Sequence, residues 1–218
     1  MQKMFAELIG TLILALAVVG SGSMAQLLTQ DVGLQLLING AVTAGVLWLI
    51  ITLFAPVSGA HFNPVVSAIA RFRSDLTSIE LVQFTAAQIV GAISGTLLAN
   101  ALFQREFFQV SDFQRTGWNL QLSEIIATAG LVFLIFHLIG IGKEKKVPAG
   151  VATWIFGAYF FTISTSFANP AITIGRIFTE SFAGIAPLSA VTFIPFQILG
   201  AIFGYLLFNF LNQKADKK

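Results

Sequence analysis

Two asparagines carry the most chemistry in this chain, because each is followed by proline in a short apolar segment: Asn63-Pro64-Val65 and Asn169-Pro170-Ala171. Asn before Pro reads as a helix N-cap followed by the first helical residue, where a missing N–H costs nothing. A capping Asn uses its side-chain oxygen, so its NH2 stays free to donate to a water or hydroxyl oxygen. Glu7 and Glu124 lie inside apolar runs, where an ionisable group is functional by default. His61, two residues before the first Asn, is either a plain hydrogen-bond donor or a group titrating near neutrality. With no Cys and two His, the chain offers no thiolate, disulfide or metal constellation, and neither a cofactor nor a catalytic group is expected. What remains is hydrogen bonding to neutral groups.

The elements that must position these residues belong in a bilayer. Of 218 residues 56% are hydrophobic and 10% charged, and the mean hydropathy is +0.84, which leaves too little polar surface to coat a soluble globule. A net charge of +2 gives no reason to expect a nucleic-acid partner. Apolar runs near 4–24, 33–54, 79–103, 120–141, 147–167 and 188–211 are each about long enough to span. The first is too long for a signal peptide and lacks a cleavage pattern. Two further stretches, 58–71 and 165–176, are too short to cross and read as re-entrant half-helices, which are tolerated only where protein or a water-filled cavity satisfies the backbone. The expected fold is an all-α membrane protein, six transmembrane helices plus two half-helices, in a single domain over 1–218. Taking alternate sides, Lys3, Arg71, Arg73, Lys143, Lys145, Lys146, Lys214, Lys217 and Lys218 share one face, against Arg105, Arg115 and Arg176 on the other. That bias places both termini in the cytoplasm and reads the 143–146 cluster as a topology determinant.

The two halves repeat, the first over about 1–104 and the second over about 119–213. Gln88-Ile-Val-Gly-Ala-Ile-Ser-Gly95 matches Gln197-Ile-Leu-Gly-Ala-Ile-Phe-Gly204 at an offset of 109, the Asn-Pro pairs are 106 apart, and the two Glu are 117 apart. Three spans per repeat is odd, so the second half must be inverted. The half-helices then enter from opposite faces and meet near the midplane with both N-termini at one spot, an arrangement that repels cations and suits a neutral cargo. The small-x-x-x-small faces at Gly91/Gly95 and Gly200/Gly204 read as close-packing devices.

At this point the chain resembles the aquaporin and aquaglyceroporin superfamily over essentially its full length. The likeness is carried by Ser58-Gly-Ala-His-Phe-Asn-Pro, the second Asn-Pro-Ala, the early Glu of each half and the Gln-x-x-Gly-Ala-x-x-Gly helices. It implies a homotetramer in a lipid bilayer with one pore per subunit, passing water and small neutral solutes, and it assigns Glu7 and Glu124 to holding the re-entrant loops. Two departures stand out. The first motif ends in Val65, and Ile172 stands where most members carry Arg, with Arg176 one turn later. This variant is similar to a bacterial branch associated with arsenic resistance, which implies an inner (plasma) membrane. Counting from the motifs, the family's filter positions fall on Thr43, Gly157, Ser166 and Ile172, with Ala158 replacing Gly157 if the loop is one residue shorter. Such a ring implies a wide opening for glycerol-like polyols or arsenious acid. Arg176 has two readings, a displaced filter charge at the pore mouth or a side chain snorkelling to the interface. A strictly water-selective aquaporin is the alternative; an ion-coupled transporter and a non-conducting junction protein are the rivals from other classes.

Overall fold

A computed structural model describes residues 1–212, all of whose regular elements are helical. In chain order they are α1 (Gln2–Leu28), α2 (Val32–Ser58), α3 (Pro64–Phe72), α4 (Ser78–Leu102), α5 (Trp118–Gly140), α6 (Val147–Phe161), α7 (Pro170–Gly175) and α8 (Pro187–Asn212), with short 3-10 turns at Glu144–Lys146 and Arg176–Phe178. Lys214, Lys217, Lys218 and the last residue of the second repeat lie outside the described residues.

Helices α1, α2, α4, α5 and α8 are long and apolar enough to cross a membrane, at 23 to 27 residues each or roughly 35–40 Å. Their apolar side chains also cover the outer surface, where Trp48, Leu53, Phe203 and Leu206 are all at least half exposed, as befits helices solvated by hydrocarbon. α6 differs from the expected 147–167 run. Its 15 residues reach only about 22 Å because Thr162 turns extended, with φ −119° and ψ 134°, and its hydroxyl donates back to Ala158 O. The segment from Thr162 to Ala168 is therefore free to descend non-helically toward the middle of the protein.

The inverted repeat is visible as matched packing, α1 on α4 and α5 on α8 being the most extensive helix pairs. Glycine permits both. A Cβ on Gly95 would collide with Leu12 O, and one on Gly204 with Ala129 O, so these crossings bring backbone against backbone. One face of the molecule gathers the α1 N-terminus, the α3 C-terminus and the α5–α6 junction: Lys3 pairs with Glu80 at 3.0 Å, and Arg73 with Asp75 at 2.9 Å. At the opposite face Arg105 donates to Gln26 Oε1 and Glu180 O, tying α1 and α4 to the segment before α8.

Candidate pore

Each Asn caps its half-helix through Oδ1. Asn63 accepts from Val65 N at 3.1 Å, and Asn169 from Ala171 N and Ile172 N at 3.0 and 3.3 Å. Each amide nitrogen then donates across the junction to the other loop, Asn63 Nδ2 to Ala168 O and Asn169 Nδ2 to Phe62 O, both at 2.8 Å. This reciprocal pair fastens α3 to α7 with their N-termini facing.

The loops before the caps are held in an unfavourable backbone. Ala60, Phe62, Ser166 and Ala168 all have φ between 47° and 52°, a region that non-glycine residues seldom occupy. One step earlier Gly59 has φ 89°, while its counterpart Thr165 adopts 61° at the cost a side chain brings there. The buried carboxylates hold these conformations. Glu7 accepts from Ser58 Oγ, His61 N, Phe62 N and Gln88 Nε2 at 2.6 to 3.0 Å. Glu124 accepts from Phe167 N, Ala168 N and Gln197 Nε2 at 2.7 to 3.0 Å. Gln88 and Gln197 each donate again, to Ser67 Oγ and Thr173 Oγ1, four residues into the half-helices. Both carboxylates are fully buried, and each is surrounded by donors as a buried acceptor must be.

A cavity of about 470 Å³ runs past this junction. It extends from Lys3, Arg73 and Asp75 at the basic face, past His61, Asn63 and Asn169, to Thr43, Tyr159, Ser166, Ile172 and Arg176. Its walls are mostly aliphatic, with Leu14, Val18, Leu47, Leu131, Val151 and Ile155 among them. Of the residues singled out in the sequence, Thr43, His61, Asn63, Ser166, Asn169, Ile172 and Arg176 lie on this one surface. Pro64, Val65, Pro170, Ala171, Glu7 and Glu124 stand behind it, Val65 packing with Val66 and Ile69 in a separate apolar cluster.

Gly157 is a correction, and so is its alternative Ala158, because neither reaches the wall. On α6 the lining residues are Val147, Val151, Ile155 and Tyr159, four apart. At about 100° per residue position 157 points away from that stripe, and a Cβ placed there would stand 3.2 Å from the ring of Phe161. Counting back from Asn169 missed the α6 residue that lines the cavity because the non-helical connection from 162 to 168 sets the register. The i, i+4 spacing ending in a Tyr was the signal that could have found Tyr159.

Arg176 is interior, 3% exposed. Its Nε donates to Ala183 O and its guanidinium carbon lies 3.4 Å from the centroid of Phe167. Arg115, counted in the sequence only as a charge on the far face, joins it in the interior. Its Nε and Nη2 donate to Gly184 O and Phe182 O at 3.0 and 3.2 Å, and it stands 5.1 Å from the same Phe167 ring. Two guanidiniums thus gather the carbonyls of three consecutive residues, 182 to 184. Burial pushes Arg115 down to about 10, so it stays a cation at neutral pH. Nothing in the aperiodic stretch before α5 marked it.

Five helices long and apolar enough to cross a membrane, a shorter sixth, two half-helices meeting at paired asparagines and a cavity through their junction define a membrane channel fold. The profile of the major intrinsic protein family matches residues 1–160, and the chain belongs to that family. It is 42% identical over 98% of its length to the aquaglyceroporin AqpS of Rhizobium meliloti, covering 91% of that protein, and 29% identical over 94% of its length to an aquaglyceroporin of Toxoplasma gondii, covering 77% of it. Its fold is similar to the X-ray structure of the aquaglyceroporin from Plasmodium falciparum, with a TM-score of 0.74, 17% identity and coverage of 100% of this chain and 99% of that one. The protein is accordingly an integral membrane channel of that family and not an enzyme.

Proposed function

We propose that this protein is a passive channel for water and small uncharged solutes, glycerol-like polyols and arsenious acid among them. The observation that carries the reading is the crossed asparagine pair on the wall of a continuous cavity. Each Nδ2 has two hydrogens and spends one on the opposite loop, leaving the other for a solute oxygen. A neutral solute with hydroxyls gains donors there, whereas a cation meets the NH2 groups and, further along, the guanidinium of Arg176.

Ile172 supports a filter wider than a water-only one, since an aliphatic side chain occupies the turn of α7 next to the asparagine. Thr43, Ser166 and Arg176 supply polar groups to the same end of the cavity, so one wall is greasy and another hydrogen-bonding, as a polyol requires. A strictly water-selective pore is the second reading, favoured by the bulk that Tyr159 and Arg176 bring. Glu7 and Glu124 act as acceptors that hold the loops and not as proton carriers, which sets aside an ion-coupled transporter. The working assembly is a homotetramer with a pore in each subunit, in a bacterial inner membrane, with the Lys3 face cytoplasmic and repeats over about 1–104 and 119–213.

Proteoliposome shrinkage under inward gradients of glycerol, urea and arsenite tests the reading. Reswelling faster than in protein-free vesicles for glycerol and arsenite is expected. Water flux with glycerol excluded would select the second reading.

A further inference from the structure

We propose that Ser67 is a positioning residue for His61: it fixes the imidazole tautomer, so that Nε2–H faces the cavity as a third donor beside the two asparagines and the ring lone pair is turned into the protein. The functional half of this inference rests on the channel reading above. Glu7 dictates the chain of bonds. Its carboxylate only accepts, so the end of the Gln88 amide that meets Glu7 Oε2 at 2.7 Å is the NH2. The same nitrogen stands 3.0 Å from Ser67 Oγ, which therefore accepts from it. Ser67 is fully buried, and its hydroxyl meets one further side chain, at His61 Nδ1, 3.0 Å away. If Nδ1 carried the ring hydrogen, Ser67 would accept twice and its own O–H would be left buried and unpaired, which is costly. With Ser67 donating, Nδ1 is the acceptor and the neutral ring holds its hydrogen on Nε2.

The second half of the molecule shows the other fate of such a hydroxyl hydrogen. Thr173 Oγ1 likewise accepts from Gln197 Nε2 at 2.9 Å, but it donates to Asn169 O at 2.8 Å. Phe167 stands there in the place of His61 and offers no ring nitrogen. In the first half the imidazole takes the bond that the backbone carbonyl takes in the second. The position of the ring puts Nε2 on the solute side. His61 and Gly59 both line the cavity, and a Cβ on Gly59 would stand 3.1 Å from His61 Nε2, so the glycine leaves that edge of the ring open. Edge-to-face packing on Phe84 at 5.6 Å holds the ring plane. A water or polyol at this level meets a donor and no acceptor on the imidazole, as it does at the NH2 groups of Asn63 and Asn169, and binds oxygen-first at all three.

Nitrogen NMR of isotope-labelled histidine in proteoliposomes, at a pH where imidazole is neutral, reads the tautomer directly, with His61→Phe separating the His61 signals from those of His137. Native protein should show the hydrogen on Nε2 and none on Nδ1. Ser67→Ala should give mixed tautomers, with both nitrogen signals moved toward averaged positions, and should slow glycerol reswelling about 2- to 5-fold, the effect of losing part of one ordinary hydrogen bond. Ser67→Thr, which keeps a hydroxyl, should restore both readings. Thr173→Val, which removes the counterpart hydroxyl, should leave the His61 signals unmoved. A native His61 carrying its hydrogen on Nδ1, or a well-folded Ser67→Ala that keeps the native pattern, overturns the inference. A released tautomer with unchanged glycerol flux overturns its functional half. Native protein that holds the Nε2–H tautomer yet moves no solute faster than empty vesicles would strike down the channel reading and, with it, that functional half, while the tautomer assignment stands.

Discussion

The two re-entrant loops share a skeleton and differ in what they present to the cavity. Behind the wall the correspondence is residue by residue: a carboxylate from the first helix of the half takes the amides of positions −2 and −1 before the Asn, a glutamine from the last helix joins it, and a hydroxyl four residues after the Asn completes the set. Even the aromatic platform recurs, His61 standing edge-on to Phe84 at 5.6 Å and Phe167 edge-on to Phe193 at 5.3 Å. At position −2, however, the first loop places an imidazole bonded to Ser67 Oγ at 3.0 Å, and the second a phenyl ring that carries two guanidiniums. The carboxylates, glutamines, hydroxyls and asparagine caps are duplicated, whereas the side chains at position −2 are not. Holding depends on backbone geometry that inversion preserves, whereas the two mouths face different surroundings.

The largest effect should come from breaking the shared skeleton. Glu7→Gln and Glu124→Gln each keep one acceptor oxygen but put an NH2 against loop amides that already donate. With bonds to a charged group contributing about 1.5–3 kcal/mol each, both variants should lose most of their folded yield, measured as monodisperse protein after extraction. A large loss in one half and none in the other would mean the correspondence is only geometric.

Next is the shared packing. Gly95→Ala and Gly204→Ala force a methyl into a facing backbone carbonyl, and each should cost about 1–3 kcal/mol, visible as a lowered thermal midpoint in detergent. Tolerance of either substitution would show that the crossing can widen without consequence.

Exchanging the differing residues sharpens the contrast. In Phe167→His the surface on which Arg115 and Arg176 rest is lost, so the Phe182 to Gly184 segment should loosen, read as faster amide exchange there, with solute selectivity altered. His61→Phe removes one side-chain hydrogen bond, of about 1 kcal/mol, and should leave the fold intact while changing flux modestly. Equal loosening in both would erase the distinction between holding and facing residues.

The smallest effect is expected at Gly157. Gly157→Ala points away from the cavity and should leave the glycerol-to-water ratio unchanged in reswelling assays, while Ile172→Arg in the same assay should lower it severalfold.

Much of this was legible before the fold. Apolar runs of bilayer length located the long helices, since hydrocarbon permits little else, and Asn-Pro located the N-termini of α3 and α7 because capping is local chemistry. Glu7 and Glu124 were conspicuous as charges among apolar neighbours, although the loop amides they accept from, 43 or more residues away, were not visible in the sequence around them. The α6 wall was misassigned because its register depends on where Thr162 ends the helix. Arg115 entered only as a topology charge, because its structural role depends on Phe167 and on carbonyls about 70 residues away, which no local pattern encodes.

The central claim is that neutral solutes cross between the two asparagine caps while charge does not. Glycerol reswelling and decay of an imposed pH gradient, recorded on the same proteoliposomes at matched protein density, test it most directly. Accelerated glycerol entry with a pH gradient that decays no faster than in protein-free vesicles is the predicted result. Glycerol uptake that is driven by the gradient, or a gradient that collapses as glycerol enters, would contradict it.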